Sequence, residues 1–129
     1  MNTNIDKYDM EGPFPLDSQS INNEVEKAIG VYILGKNNDV KSFKPRYVGR
    51  SDDDLNGRLH DHINKDIEYT HFMYLYAGSI KDAFEMECRL YHLYGGDADH
   101  IDNKIHPDRP KEWPYLPCTG CKIFDSFIW

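Results

Sequence analysis

One acidic residue sits where the sequence pattern has no use for it. From Asp82 to Tyr94 the apolar residues recur at helical spacing. With each residue turned about 100° from the last, Ala83, Phe84, Met86, Leu90, Tyr91, Leu93 and Tyr94 gather on one side, while Asp82, Glu85, Arg89 and His92 take the other. Glu87 falls inside the apolar side, three or four positions from Ala83, Phe84, Leu90 and Tyr91. A carboxylate there must face the body of the fold. Burying it unpaired would cost several kcal/mol or raise its pKa until it is neutral. A metal ion, an arginine or a hydroxyl network would compensate it, and so would purely structural Tyr or backbone donors.

Three further groupings could carry chemistry. Arg58 and His62 are four residues apart, hence on one helix face, at the edge of the stripe Leu55, Leu59, Ile63 and Ile67. A guanidinium and an imidazole there could hold a phosphate, or could simply be a solvated flank. Tyr32 and Tyr47 each lie two residues from a glycine, in Gly30-Val31-Tyr32 and Tyr47-Val48-Gly49. In strands this puts Tyr and Gly on the same face, so two paired strands would offer two phenols beside glycine-cleared space. Cys118-Thr119-Gly120-Cys121 is a single CxxC. It could be half of a zinc site, with His100 or His106 completing a tetrahedral N/S set, or a pair of thiols open to reversible disulfide formation. Cys88, within the helical pattern, reads as a small core residue.

The elements that must position these groups follow in order. Ala28–Leu34 alternates as a strand, with Ile29, Val31 and Ile33 on one face and Gly30, Tyr32 and Leu34 on the other. A polar loop over Gly35–Lys44 leads to a second strand, Pro45–Arg50, and the two form a hairpin. Ser51-Asp52-Asp53-Asp54 has the capping-box pattern that opens a helix. Tyr69–Gly78 is a third strand, and Asp82–Tyr94 is a second helix, stopped by Gly95-Gly96. Residues 1–27 show no sustained periodicity and read as an irregular arm with a short helix near Asn22–Lys27. The proline-rich stretch from Asp97 onward reads as an irregular wrap closed by Ile123–Trp129. The chain thus divides into an acidic arm (1–27), a β-β-α-β-α core (28–105) and a tail with the CxxC (106–129).

In this order the residues resemble the GIY-YIG endonucleases, with Val in place of Ile in both halves of the signature. Gly57-Arg58-Leu59-His60-Asp61-His62 resembles the family's helix bearing an Arg and a His one turn later. Phe84-Glu85-Met86-Glu87 resembles its metal-binding helix, Asp102-Asn103-Lys104 its late Asn, and His71 a histidine that some members carry on the third strand. The resemblance implies an α/β (α+β) fold with a small three-stranded antiparallel sheet flanked by helices. It also implies metal-dependent hydrolysis of DNA phosphodiesters with Mg²⁺ or Mn²⁺. Tyr32 and Tyr47 would position or deprotonate the attacking water, Arg58 would hold the scissile phosphate, and Glu87 would bind the metal. Asn103 would support the site and His62 would relay a proton. A phenol, with a pKa of about 10, is a poor base near neutrality unless a cation lowers it.

Composition sets the limits. The 129 residues suit one compact domain, and 40% hydrophobic with 29% charged is a globular balance. No apolar run approaches the roughly 20 residues of a membrane span, and the polar start is unlike a secretory signal, so the expected setting is cytoplasmic. The net charge is −7, where a dedicated DNA binder is usually basic. The excess is uneven: residues 1–27 hold six acidic against two basic side chains, and residues 28–65 hold seven basic against five acidic. The acidic arm could meet a protein partner or cover the groove. An alternative function is therefore a GIY-YIG-like binding module without turnover.

Overall fold

The structure, a computed structural model, describes residues 10–36, 43–63, 69–95, 101–103 and 106–118. Seven elements follow along the chain: β1 (Glu11–Pro15), α1 (Ser18–Glu24), β2 (Gly30–Lys36), β3 (Lys44–Ser51), α2 (Leu55–Asp61), β4 (His71–Tyr76) and α3 (Ile80–Leu93). The strands form one antiparallel sheet in the order β1-β4-β2-β3. Ile67, His100, Cys121 and the segment 123–129 lie outside the described residues. Among the described residues no helix is long and apolar enough to cross a membrane.

The sheet has four strands, not three. The extra one, β1, comes from the stretch that looked irregular, and its disguise has a physical cause. It contains Gly12 and Pro13, and its register against β4 slips by one residue between Glu11 and Phe14. Proline cannot donate to a ladder, so such a segment is confined to an edge, which is where β1 lies. Beyond it, Asp17 caps α1 by accepting from the Ser20 amide at 2.8 Å. Residues 11–25 are thus part of the fold. Ile21 and Val25 are buried among Tyr32, Leu34, Leu55, Leu59 and Phe72, and Asn56 Nδ2 donates to the Val25 carbonyl at 2.9 Å.

The hairpin forms as its alternation requires, with Tyr32 opposite Gly49 and Leu34 opposite Tyr47. One face of the sheet packs on α1 and α2. The other, through Val31, Ile33 and Val48, packs on Leu90 and Tyr91 of α3 and on Ile101. The helix after β3 starts later than its capping box suggests. Asp54 is the cap, accepting from the Gly57 amide at 2.8 Å, while Ser51 accepts from the Asp54 amide at 2.8 Å and shapes the turn before it. At α3 the Ser79 hydroxyl caps the Asp82 amide at 3.0 Å, and Gly95 ends the helix in the left-handed region at φ 79°.

Ile21 is fully buried, so Ile21→Ala should lower unfolding free energy by roughly 2–5 kcal/mol in urea titration. A loss below about 0.5 kcal/mol, the scale of surface substitutions, would mean that the N-terminal segment is not part of the core.

Candidate active site

Tyr32, Tyr47, Arg58, His62, Glu87 and Asn103 all line a single open cleft of about 1340 Å³. They reach it from both faces of the sheet. Tyr32 belongs to the layer under α1 and α2, whereas Glu87 rises from α3 on the opposite face. One hollow can hold both because β3 is an edge strand, and the cleft wraps around that edge at Gly49, Arg50 and Ser51. His71 does not line it. That side chain sits on β4 and hydrogen-bonds Thr70 Oγ1 at 2.8 Å.

On the α2 side, Tyr32 is 2% exposed and its ring lies across Gly49. A Cβ at position 49 would stand 2.3 Å from the Tyr32 hydroxyl and from Cζ, so only glycine leaves the ring its place. The hydroxyl is 2.7 Å from Nε2 of His62, the residue that closes α2. Tyr47 packs its ring 6.4 Å from that of Tyr32 and 5.5 Å from the His62 imidazole. Burial pushes both phenols above their ordinary range, with the neighbouring Glu87 charge adding to the shift and Arg58 opposing it. Desolvation outweighs the cation here, so neither tyrosine by itself is the base that deprotonates water near neutrality. Among the described residues the Tyr32 hydroxyl's hydrogen-bond partner is His62, which gives a proton taken by Tyr32 a route onward.

Arg58 is exposed on α2, and its guanidinium makes no hydrogen bond or ion pair among the described residues. It is available to an anion in the cleft. On the α3 side, Glu87 is buried, and its partner is Arg50: Nη1 lies 2.7 Å from Oε1. The same guanidinium donates to Asp52 Oδ1 at 2.7 Å and to the Asp108 carbonyl, and stacks 5.4 Å over the Phe84 ring. Of the compensating groups the helical pattern demands, the structure supplies an arginine. Burial nevertheless raises Glu87 to about 7, with Arg50 pulling the other way. Oε2 of Glu87 has no hydrogen-bond partner among the described residues.

Asn103 spends its side chain on the backbone. Its Oδ1 accepts from the Val48 amide at 2.9 Å and its Nδ2 donates to the Val48 carbonyl at 2.7 Å, imitating a strand along the exposed edge of β3. Asp102 beside it bonds Arg46 at 2.6 Å and the Tyr69 hydroxyl at 2.8 Å. Asn103 therefore positions β3. Next to the cleft, which His106 lines, a second cluster forms. The ligand atoms of Cys88, His106 and Cys118 all lie within 4.8 Å of one another and could hold a metal ion. Cys118 and His106 belong to the set expected from the CxxC. Cys88, which reads as core in sequence, joins them.

Arg50 and Cys88 are the residues that sequence alone passes over. Arg50 occupies the β3 face opposite Tyr47 and Gly49, pointing toward α3, and that alternation was the available signal. The cleft is acidic on balance, with Asp52, Asp53, Asp54, Asp61, Glu87, Asp108 and Glu112 against Arg50, Arg58, Arg109 and Lys111.

With its pKa near 7 against 4.5 for an exposed glutamate, Glu87 holds its proton in the fold across a range where the unfolded chain has lost it. Its contribution to stability is complete below pH 4.5 and disappears as the pH rises through 7. Denaturant unfolding across this window should show wild-type stability falling relative to Glu87→Gln, by up to about 3 kcal/mol. Parallel profiles for the two proteins would put Glu87 among ordinary carboxylates.

Compared with protein-family models, curated proteins and solved structures, the chain matches none.

Proposed function

We propose that this protein is a divalent-metal-dependent nuclease that hydrolyses DNA phosphodiesters, as its resemblance to the GIY-YIG endonucleases implies. The observation that supports this most is the convergence of Tyr32, Tyr47, Arg58, His62 and Glu87 on one cleft from two faces of a sheet. Arg58 has a planar fork of donors and no competing partner among the described residues, which suits a phosphate oxygen gathering charge in the transition state. Tyr32 takes the proton of the attacking water on its oxygen as it passes its own hydroxyl proton to His62 Nε2 across the 2.7 Å contact, so water becomes hydroxide, His62 the imidazolium, and no free phenolate has to form. Tyr47 walls the other side of the imidazole and limits its rotation.

Glu87 is the residue that would hold Mg²⁺ or Mn²⁺. Its Oε2, without a hydrogen-bond partner among the described residues, and its burial beside the cleft fit a hard cation that takes one or two carboxylates and keeps several waters. Such an ion supplies Lewis-acid stabilisation to a phosphoryl oxygen. Arg50 fixes the carboxylate through Oε1, and Oε2 makes no hydrogen bond among the described residues. A divalent ion would also offset the acidic lining, which otherwise opposes a polyanionic substrate.

A second reading, a binding module without turnover, draws on that same acidic lining, which suits a basic protein segment better than bare DNA. None of the described arm residues, 10–27, lines the cleft.

Purified protein with Mg²⁺ or Mn²⁺ should cleave single-stranded, duplex or branched DNA. Arg58→Ala, at an exposed position, should keep its thermal midpoint yet lose roughly 10²–10³ in rate. Glu87→Ala should lose metal-dependent cleavage. No cleavage with either ion, or equal rates for wild type and Arg58→Ala, would leave the binding module as the surviving account.

A further inference from the structure

Cys88, His106 and Cys118 lie outside the chemistry proposed for the cleft and come from distant parts of the chain. Cys88 and Cys118 are 0% and 1% exposed, deep in a small cluster with Phe84 and Leu116. His106 lies beside them, with Nε2 3.3 Å from the Cys118 sulfur. Its other nitrogen, Nδ1, donates to the Pro107 carbonyl at 3.0 Å. That bond fixes the tautomer in which Nε2 keeps its lone pair facing the two sulfurs, the outer-shell arrangement that orients metal-bound histidines. Two buried sulfurs and an imidazole nitrogen form a soft donor set, which selects zinc over the oxygen-seeking Mg²⁺. Around tetrahedral zinc, with bonds of about 2.3 Å to sulfur and 2.0 Å to nitrogen, neighbouring ligand atoms stand about 3.5–3.8 Å apart. Donors already within 4.8 Å of one another need only a small contraction.

We infer that Cys88, His106 and Cys118 hold a structural zinc ion that staples the segment after residue 106 to α3. In sequence, Cys118 and Cys121 have the two-residue CxxC spacing of zinc-ligand pairs. The staple is separate from the cation proposed at Glu87, and it does not depend on nuclease activity. Its effect on the cleft is mechanical. Cys88 follows Glu87 on α3, and His106 precedes Asp108, whose carbonyl takes a hydrogen bond from Arg50. Arg109 continues the attachment, donating to the Leu116 carbonyl at 2.7 Å and lying 5.9 Å over the Phe84 ring. Zinc thereby fixes the backbone that holds Arg50, and through Arg50 the carboxylate of Glu87. Binding zinc to thiols releases their protons to solvent and involves no redox change.

The test uses the full chain, purified reduced and without chelator. Metal analysis should find stoichiometric zinc. Replacement by Co²⁺ should give the intense visible bands of tetrahedral thiolate coordination with sulfur-to-cobalt charge transfer. His106→Ala, at a half-buried position, should weaken zinc at least tenfold in competition with a chromogenic chelator. Cys118→Ser should abolish the charge-transfer band. Chelation of the wild type should lower its thermal midpoint, and zinc alone should restore it. Protein that carries no zinc and gives no cobalt band under reducing conditions would overturn the assignment. So would zinc bound equally well by wild type, His106→Ala and Cys88→Ser, or a Cys88–Cys118 disulfide in protein isolated from the cytoplasm of the expression host.

Discussion

A buried guanidinium gripping a buried carboxylate holds this fold together around its cleft. Arg50 leaves the edge strand toward α3, meets Glu87 at 2.7 Å, and binds Asp52 and the Asp108 carbonyl with its remaining donors. It thus ties β3, α3 and the segment after residue 106 to one side chain. Such a pair contributes little net stability, because desolvation of both charges offsets their attraction. Removing one partner is a different matter, costing about 3–5 kcal/mol for the charge left behind. The pair accordingly works as a positioning device. It fixes Oε1 of a Glu87 carboxylate that lines the cleft.

The opposite wall is set by steric fit more than by charge. Tyr32 needs the space that Gly49 leaves, and the antiparallel register puts the two residues directly across from each other. Gly30 is constrained in a similar way: a Cβ there would come within 2.7 Å of the Leu75 carbonyl and 2.9 Å of Leu55. The two glycines and two tyrosines are therefore a packing solution before they are a chemical motif. It happens to place a phenol against an imidazole in a desolvated corner. The edge position of β3 lets that corner communicate with Glu87 beyond the strand, and Asn103 covers part of the edge that would otherwise invite another chain.

How much of this was legible in the sequence depends on whether the signal was local. Glu87 stands out because helical periodicity is a local property, and its burial follows from seven neighbours on one helix. The hairpin and its Tyr–Gly alternation were legible for the same reason. Arg50 was not, since its role depends on α3 crossing a particular face of the sheet, which no window around residue 50 contains. Cys88 looked like core and is core. Its meeting with His106 and Cys118 arises from tertiary wrapping. The strand at Glu11–Pro15 escaped because Gly12 and Pro13 erase the alternation that marks strands, and an edge position next to β4 tolerates them. The start of α2 moved from Ser51 to Asp54 because two consecutive side-chain caps compete there, and the later one satisfies the helix amide.

Glu87, Arg58 and the Tyr32–His62 pair line one hollow, and a divalent ion is proposed to bind there at Glu87. Paramagnetic broadening of amide resonances by substoichiometric Mn²⁺ tests this without any assumption about substrate. Broadening should centre on residues 47–52, 58–62 and 86–88 and should vanish in Glu87→Gln. Broadening confined to the acidic residues before 27, or unchanged by the substitution, would contradict the claim.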